Sequence, residues 1–375
     1  MQITKIRLKN FRNYETLDLD VSEGAHVISG MNAQGKSNFI EAIYYSAFSR
    51  SFRKSRDKDL IRHGAEQLSI QIDFDSDNRE ESLAIFLDKG MNKRIKINEN
   101  YIRKMSDFIG KIKIACFTPE DLYLISGSPG ERRRFLNREL SQIYPAYFRN
   151  IIDYHLVLNQ RNTAIKQYKF GGKDGNLVRM WDDKLAELGE KIIQKRVTHL
   201  LRMDEIASGL HKRLSGEKEI LKIEYDGIFH SKNYEKYDKI EFGLKELLDE
   251  NFENDMKYGY TTIGPHKDDF HIFINGLEAK KFASQGQKKL SALSIKLSQI
   301  EMIQEITGTM PIVLLDDVSS ELDEERRLFL LDYITGFQSF MTTTDIEIFQ
   351  EERHKFKHIT VSNGTIKEEH PCKIQ

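Results

Sequence analysis

The sequence predicts an α/β fold in which one domain is built from both ends of the chain. An antiparallel subsheet lies beside it, and a helical lobe is inserted between the two ends. Three observations support this prediction. A buried strand, a glycine-rich loop and a helix follow one another near the N-terminus. A second buried strand ends in the paired aspartates Asp316 and Asp317. Between them lies a long segment with helical periodicity.

The glycine-rich loop has the sequence GMNAQGKS and matches the pattern GxxxxGK[ST]. It follows an apolar run at 25–29 and precedes a helical pattern at 38–49. Its glycines let backbone N–H groups converge on phosphate oxygens at the positive end of the helix. We expect Lys36 to reach the β and γ phosphates of ATP, and Ser37 to hold Mg²⁺ through its hydroxyl. The predicted nucleotide-binding residues of the loop are Gly30, Met31, Asn32, Ala33, Gln34, Gly35, Lys36 and Ser37.

The second buried strand is predicted from the apolar run Ile312–Leu315, which ends in two carboxylates. A buried parallel strand has this composition, and its C-terminal end is where a phosphate-bound Mg²⁺ would be met. Asp316 is therefore the predicted Mg²⁺ ligand together with Ser37, and Asp317 is predicted to polarise the attacking water. With Lys36, the two aspartates form the predicted catalytic set.

A second helix start with anion-binding character lies at Ser284, Gln285, Gly286 and Gln287. The helix predicted at 288–303 carries leucine and isoleucine at helical spacing, and a serine with a glycine at its start forms a site for an anion. Taken alone, this segment would be interpreted as the start of an ordinary N-capped helix. Because the chain has one phosphate loop, a second phosphate-binding helix start is redundant unless it serves the ATP of another molecule. With SSELD at 319–323, it resembles the signature motif and D-loop of ABC-type ATPases, which implies a homodimer formed on ATP.

Several blocks together resemble the RecF family of SMC-type ABC ATPases. They are KNFRNYETLDLD (9–20), SRSFRKSRDKDLIRHGA (49–65), FTPEDLYLISGSPGERRRFLNREL (117–140), LNQRN (158–162) and YGYTTIGPHKDD (258–269). The resemblance implies a P-loop ABC/SMC-like ATPase head that binds ATP with Mg²⁺ and hydrolyses it slowly when bound to DNA. It also implies roles in DNA replication and in repair after DNA damage, at double-stranded and gapped DNA. The implied partners are RecR and RecO, which help to load RecA.

The sequence departs from the patterns of these families at four places. Lys267 stands where the GPH block commonly continues with arginine, and lysine lacks the bidentate fork of a guanidinium. Asn137 replaces an acidic residue, Asp317 replaces the glutamate of ABC transporters, and Thr343 or Thr344 lies where a histidine switch is expected. The last two changes fit a slow ATPase.

DNA contacts are predicted from local charge, because the total is balanced, with 57 basic and 58 acidic residues. DNA affinity depends on clustered Lys and Arg that displace counterions, so this balance excludes only a uniformly basic protein. One cluster follows the phosphate-loop helix, and its predicted DNA contacts are Arg50, Arg53, Lys54, Arg56 and Arg62. A second cluster comprises Arg132, Arg133, Arg134 and Arg138, for which a solvated face is an equal interpretation.

The predicted domains are 1–140, the N-terminal part of the head; 141–255, the helical lobe; and 256–375, the C-terminal part of the head. Helices are predicted at 147–169 and 177–214, with a turn at 170–175 between them. The second helix carries a heptad-like seam that includes Trp181 and His199, both interpreted as core residues. Alternating strands at 68–74, 83–87 and 94–97 predict the antiparallel subsheet, and Asn-Gly pairs at 275–276 and 363–364 predict hairpins.

No apolar run reaches the length of a membrane span, and the two cysteines, Cys116 and Cys372, suggest neither a disulfide framework nor a zinc site. A cytoplasmic protein without a membrane partner is expected. Two alternatives stay open: a structural SMC-like head, and a protein scaffold that ATP switches without useful turnover. Acceleration of hydrolysis by duplex DNA would separate the scaffold from a DNA-dependent ATPase.

Overall fold

The computed structural model describes residues 1–53, 55–77, 79–169, 175–228, 243–318, 322–344 and 355–371. The chain forms two compact units, one of Met1–Asp121 with Lys296–Gln375 and the other of Leu122–Ile295. The inserted unit thus extends beyond the predicted 141–255 on both sides. The reason is packing: the helix at 129–143 packs on the following helix and on the strand at 269–274, so these flanking segments belong to the insertion.

The described residues form fifteen strands. They are β1 Gln2–Phe11, β2 Tyr14–Asp20, β3 Ala25–Ser29, β4 Gln67–Ser76, β5 Arg79–Asp88, β6 Lys93–Ile97, β7 Asn100–Tyr101, β8 Ile114–Phe117, β9 Leu221–Asp226, β10 Asp269–Ile274, β11 Leu277–Glu278, β12 Ile312–Asp316, β13 Ser339–Thr343, β14 Phe356–Ser362 and β15 Thr365–Pro371.

The helices of the described residues are α1 Lys36–Phe48, α2 Tyr123–Ser126, α3 Pro129–Ile143, α4 Pro145–Lys169, α5 Asn176–Arg179, α6 Asp182–Leu214, α7 Leu244–Glu250, α8 Phe252–Tyr258, α9 Ala279–Phe282, α10 Gln285–Thr307 and α11 Glu324–Ile334. None of them is long and apolar enough to cross a bilayer.

The first unit contains two six-stranded sheets. One has the order β15-β14-β3-β13-β12-β8, and all its neighbours are parallel except the β14–β15 hairpin. Strands β3, β8, β12 and β13 are buried along their whole length, which is typical of parallel strands in a sheet covered on both faces. The other sheet has the order β2-β1-β4-β5-β6-β7 and is antiparallel throughout. The predicted α/β fold and its antiparallel subsheet are confirmed.

The second unit contains two long helices that pack on each other, α4 and α6, and the three-stranded sheet β11-β10-β9. With 33 residues, α6 is about 50 Å long. Its predicted seam is confirmed at most positions, including the buried His199, while Trp181 and Ile206 are partly exposed. The predicted turn at 170–174 lies outside the described residues, and so do Ser319, Ser320, Glu321 and Cys372.

Helix α10 is buried on all sides over residues 290–300, not only on the predicted apolar face. The small side chains Ser291, Ser294 and Ser298 occupy the other faces and are fully buried. Small residues permit close packing, which apolar periodicity does not reveal. Both predicted Asn-Gly hairpins are present, with φ of 50° and 80° at Asn275 and Gly276 and of 49° and 70° at Asn363 and Gly364.

Candidate functional site

The phosphate loop, residues 30–35, joins β3 to α1 as predicted. Gly30 has φ 153° and Gly35 has φ 116°. A Cβ on Gly30 would lie 2.4 Å from the carbonyl oxygen of Val361, and one on Gly35 would lie 2.5 Å from Nδ2 of Asn13. Only glycine fits at these two positions, because the neighbouring segments approach the loop backbone directly.

Lys36 begins α1, and its side chain is only 8% exposed. Its ammonium donates to the carbonyl oxygens of Gly30 at 2.6 Å and Met31 at 2.9 Å, so it lies within the curve of the loop. Burial lowers the pKa of Lys36, and the carboxylates of Asp317 and Asp316 oppose that shift. The loop therefore holds a desolvated cation close to the paired aspartates, which is the charge that a phosphate would complement.

The paired aspartates lie at the end of β12, and Thr342 on the neighbouring β13 orients them. The hydroxyl of Thr342 donates to Oδ1 of Asp316 at 2.9 Å, and the backbone N–H of Asp317 donates to the same hydroxyl at 2.9 Å. Asp316 is buried, whereas Asp317 has φ 54° in the left-handed region. Sequence reasoning missed Thr342, because no local pattern connects it with Asp316 although the two residues are partners on adjacent strands.

Ser37 lies in the first turn of α1, and α1 packs on β12 and β13. A serine hydroxyl and an aspartate carboxylate are the oxygen donors that Mg²⁺ prefers, and Thr342 fixes the orientation of Asp316. The residues present therefore fit the predicted Mg²⁺ site. The roles of Ser37, Asp316 and Asp317 stay predictions.

Arg53, predicted to contact DNA, points toward the aspartates instead. Its guanidinium lies 3.7 Å from Oδ2 of Asp316 and donates to Oδ1 of Asn38 at 2.9 Å. The side chain is 36% exposed. The sequence reveals the charge of Arg53 but not the direction of its side chain, which depends on the turn that follows α1. Arg53 thus lies beside the predicted Mg²⁺ ligand Asp316 in this structure.

The segment after α1 is fixed to that helix by Glu41, a buried residue that sequence reasoning missed. Arg12 donates to both carboxylate oxygens of Glu41, at 2.9 and 2.8 Å. Ser51 donates to Oε1 at 2.5 Å, and Ser55 accepts from Arg12 at 2.6 Å. A buried glutamate in an apolar helix was the available signal, because such a charge requires a partner.

The other predicted DNA residues are placed at the surface. Arg50 and Arg56 are exposed, and Arg62 is partly exposed. Arg56 lies 3.8 Å from Asp59, and Arg62 lies 3.2 Å from Glu15. Lys54 lies outside the described residues. Their contact with DNA stays a prediction.

The second arginine cluster is not an open basic surface. Arg132 is buried and donates to both oxygens of Asp269, at 2.8 and 2.6 Å. Arg133 donates to the carbonyl oxygen of Asp268 at 2.8 Å. Arg134 is 68% exposed. Arg132 and Arg133 therefore connect α3 with Asp268 and Asp269 at the start of β10, and these contacts stabilise the fold.

In the second unit, Ser284 caps α10 through a reciprocal pair of hydrogen bonds. The N–H of Gln287 donates to Oγ of Ser284 at 3.2 Å, and the N–H of Ser284 donates to Oε1 of Gln287 at 2.9 Å. The Gln287 amide also donates to Glu219 at 2.9 Å, and Glu219 contacts His211 at 3.0 Å. The predicted signature residues Ser284, Gln285 and Gly286 are exposed on this braced helix start.

The LNQRN and GPH blocks form a buried polar network within the second unit. Arg161 is fully buried and donates to Asp182 at 2.6 Å and to Asp255 at 2.5 Å. His266 contacts the Tyr154 hydroxyl through Nδ1 at 2.7 Å and donates from Nε2 to the Thr261 carbonyl at 2.9 Å. Burial lowers the pKa of His266 to about 4, so the ring is neutral and accepts from Tyr154. The hydrogen bonds and ion pairs of these two blocks stabilise the second unit.

Two of the departures from the family patterns, Asn137 and Lys267, lie in this unit. Asn137 accepts hydrogen bonds from Arg196 at 2.9 Å and from Tyr147 at 2.7 Å, so a neutral oxygen serves where an acidic residue is common. Lys267 is exposed, and its ammonium lies 4.5 Å from the centre of the Tyr260 ring. Neither departure disrupts the network.

Comparison with known proteins identifies the family of this chain. Residues 2–367 match the RecF/RecN/SMC N terminal domain family. The DNA replication and repair protein RecF of Lachnoclostridium phytofermentans is 37% identical over 367 residues, which cover 98% of this chain and 99% of that protein. RecF of Clostridium acetobutylicum is 35% identical over 369 residues, covering 98% and 100%.

A solved structure of the recombination mediator protein RecF-ATP in the RecFOR pathway matches with a TM-score of 0.90 and 34% identity, covering 98% of this chain and 97% of that one. An Smc head bound to the C-winged helix domain of ScpA matches with a TM-score of 0.56 at 17% identity, which supports the fold alone. The predicted SMC-type ABC ATPase head is confirmed. The chain belongs to the RecF family, whose members are named as DNA replication and repair proteins.

Proposed function

We propose that this chain is an ATP-dependent DNA-binding recombination mediator that dimerises on ATP and hydrolyses it slowly. One observation carries the proposal. The loop that encloses the ammonium of Lys36 lies beside the oriented pair Asp316 and Asp317, in a fold shared with RecF-ATP. A buried cation and two carboxylates in this arrangement suit a Mg²⁺-bound triphosphate.

Each binding role follows from a position in the structure. The loop N–H groups and Lys36 would hold the β and γ phosphates, while Ser37 and Asp316 would hold Mg²⁺, which neutralises phosphate charge. Arg53 lies 3.7 Å from Asp316 and would relinquish that contact when Mg²⁺ takes the carboxylate. Asp317, which follows Asp316, would orient the attacking water. A short aspartate at this point fits slow turnover.

The second half of the site is proposed to come from another copy of the chain. Ser284 and Gly286 are exposed at the start of α10, whose N–H groups carry partial positive charge. In a dimer, Ser284 of one protomer would contact the γ phosphate held by Lys36 of its partner. ATP would close two heads around duplex DNA, and hydrolysis would reopen them.

The biological role is proposed from the relatives. A solved structure of a RecF protein is assigned to the RecFOR pathway, and curated relatives are named for DNA replication and repair. The chain would act at double-stranded and gapped DNA with RecR and RecO to help load RecA. Arg50, Lys54, Arg56 and Arg62 are its proposed DNA contacts.

Sedimentation with ATP, Mg²⁺ and duplex DNA tests the dimer. We expect the wild-type chain to dimerise and Ser284→Arg to remain monomeric, because the long cation would occupy the place of the partner's phosphate. ATP affinity of the Ser284→Arg monomer should stay within about twofold of wild type. Ser106→Arg, the same change in the first unit, is the matched control and should dimerise normally.

The same preparations also test turnover, since duplex DNA should accelerate hydrolysis by the wild type but not by Ser284→Arg. Loss of ATP binding by the Ser284→Arg monomer would show that Ser284 serves its own subunit's nucleotide. A wild-type chain that stays monomeric at saturating ATP and DNA would refute the proposal.

A further inference from the structure

Three distant segments meet at one residue of the phosphate loop, Gln34. Its carbonyl oxygen accepts from the Asn13 amide at 2.8 Å and from the backbone N–H of Gly364 at 2.9 Å. Its side-chain oxygen accepts from the backbone N–H of Asn363 at 2.6 Å. Asn13 lies between β1 and β2, and Asn363 and Gly364 form the turn between β14 and β15. We call Asn13, Gln34, Asn363 and Gly364 the Gln34 clamp.

The clamp is packed without free space. A Cβ on Gly364 would lie 2.4 Å from the carbonyl oxygen of Asn13, and Gly364 has φ 70°. On the other side of Asn13, a Cβ on Gly35 would lie 2.5 Å from its amide. Asn13 is therefore enclosed by two glycines, and any side chain at either position must displace it.

Further hydrogen bonds continue from the clamp to the aspartates. Asn38 in α1 donates to Oδ1 of Asn13 at 2.8 Å and accepts from Arg53 at 2.9 Å. Arg53 in turn lies 3.7 Å from Asp316. Each amide uses its donor on one neighbour and its oxygen on the next, which fixes both side-chain orientations.

The carbonyl of Gln34 determines the direction of a nearby N–H. No cis peptide bond occurs in the described residues, so the peptide plane between Gln34 and Gly35 is trans. In a trans peptide the C=O and N–H groups point in opposite directions. With both lone pairs of the Gln34 carbonyl taken by Asn13 and Gly364, the N–H of Gly35 must face away from them.

We propose that Asn13 and the Asn363–Gly364 turn are positioning residues that keep the phosphate loop in its binding shape before nucleotide arrives. This inference rests on the proposed function, in which the loop N–H groups bind phosphate. The Gln34 clamp fixes the direction of the Gly35 N–H. Without the clamp, the loop must reorganise when ATP binds. Affinity for ATP falls by the cost of that reorganisation.

Calorimetric titration of the full-length chain with ATP and Mg²⁺ tests the clamp. Gly364→Ala forces Asn13 away, and Asn13→Asp replaces the donor with a carboxylate while keeping the size. Each is expected to weaken ATP binding about tenfold, the scale of one or two lost hydrogen bonds. Because both changes break one network, the double variant should bind little more weakly than either single variant.

Gly276→Ala is the matched control. It lies in the other Asn-Gly hairpin at φ 80°, but a Cβ there meets nothing within 4 Å. It carries the same backbone strain without touching the loop, so its ATP affinity should equal that of wild type. Thermal melting without nucleotide shows whether each variant is folded.

Amide hydrogen exchange of the loop without ATP separates the clamp from the proposed function. Exchange over residues 30–37 should be faster in Gly364→Ala and Asn13→Asp than in Gly276→Ala. If wild type binds no ATP, the proposed function fails, and the exchange result alone decides whether the clamp orders the loop. If folded Gly364→Ala and Asn13→Asp match wild type in both affinity and exchange, the clamp is wrong.

Discussion

The phosphate loop and the interior of the second unit hold their motif residues by different chemistry. At Gln34 the loop is held by uncharged groups, since amides and backbone N–H groups bond to this residue. The LNQRN and GPH blocks are held by buried ions, with Arg161 between Asp182 and Asp255. Neutral bonds exchange with water at small cost, whereas buried charges left unpaired are expensive. Loss of one contact should therefore cost little folding free energy in the first region and much more in the second.

Removing Arg161 should have the largest effect on stability. Arg161→Met leaves Asp182 and Asp255 buried without their cation and should lower the free energy of unfolding by ~3–5 kcal/mol. Urea unfolding measures it. Gln34→Ala removes one neutral hydrogen bond from the loop and should cost only ~1 kcal/mol. Equal losses in the two variants would contradict the contrast between the regions.

Lys36→Met should come next, with its effect on binding and not on folding. The variant loses a charge-assisted contact to phosphate, so ATP affinity should fall about a hundredfold, or ~2.7 kcal/mol. Titration with ATP and Mg²⁺ measures the change. Lys89→Met, at an exposed lysine that pairs with Glu66, should bind ATP like wild type. Undiminished affinity in Lys36→Met would remove Lys36 from the nucleotide site.

Acid should weaken the second unit through His199. The ring is buried, neither nitrogen has a hydrogen-bond partner among the described residues, and burial lowers its pKa to about 3. A depressed pKa gives stability that is complete above about pH 6.5 and is lost as the pH falls toward the folded value. The loss from this group should reach ~2 kcal/mol at about pH 5, where the unfolded imidazole is protonated.

His199→Leu should abolish that part of the pH dependence. Urea unfolding at about pH 7.5 and pH 5 should show a difference about 2 kcal/mol smaller than in wild type. Burial raises the pKa of Asp268 to about 6, which favours the folded state below about pH 4 and is lost by pH 6. Wild type and His199→Leu share this opposing contribution of Asp268 to the pH dependence of stability. A profile for His199→Leu identical to that of wild type would exclude His199 as the cause.

The sequence predicted the features that depend on neighbouring residues. The strand, loop and helix around Lys36 follow from local periodicity and from glycine spacing, as do the buried strand before Asp316 and both Asn-Gly hairpins. These patterns are short, and burial dictates them directly. The cap at Ser284 could be predicted for the same reason, because a reciprocal cap involves residues three apart.

The rest depended on contacts between distant residues. The bonds at Gln34 come from positions 13 and 363–364, which no local pattern connects with the loop. A charge run likewise does not tell which arginine turns inward. Arg53 was predicted to contact DNA, and the run with Arg132 was interpreted equally as a DNA contact or a solvated face, but each of the two lies beside an aspartate. The inserted unit begins at residue 122 and not at the predicted 141, because α3 packs on α4 and on β10, and the contact with β10 joins positions that no local pattern connects.

The position of β3 bears on how the chain is made. Its hydrogen-bonded neighbours are β13 on one side and β14 on the other, so both partners are synthesised long after it. In a nascent chain on the ribosome, the phosphate loop and Lys36 therefore follow a strand that has no sheet to join. The strands on both sides of β3 are complete only when residues 339–362 have emerged, so we expect the first encounter with ATP to wait for their synthesis.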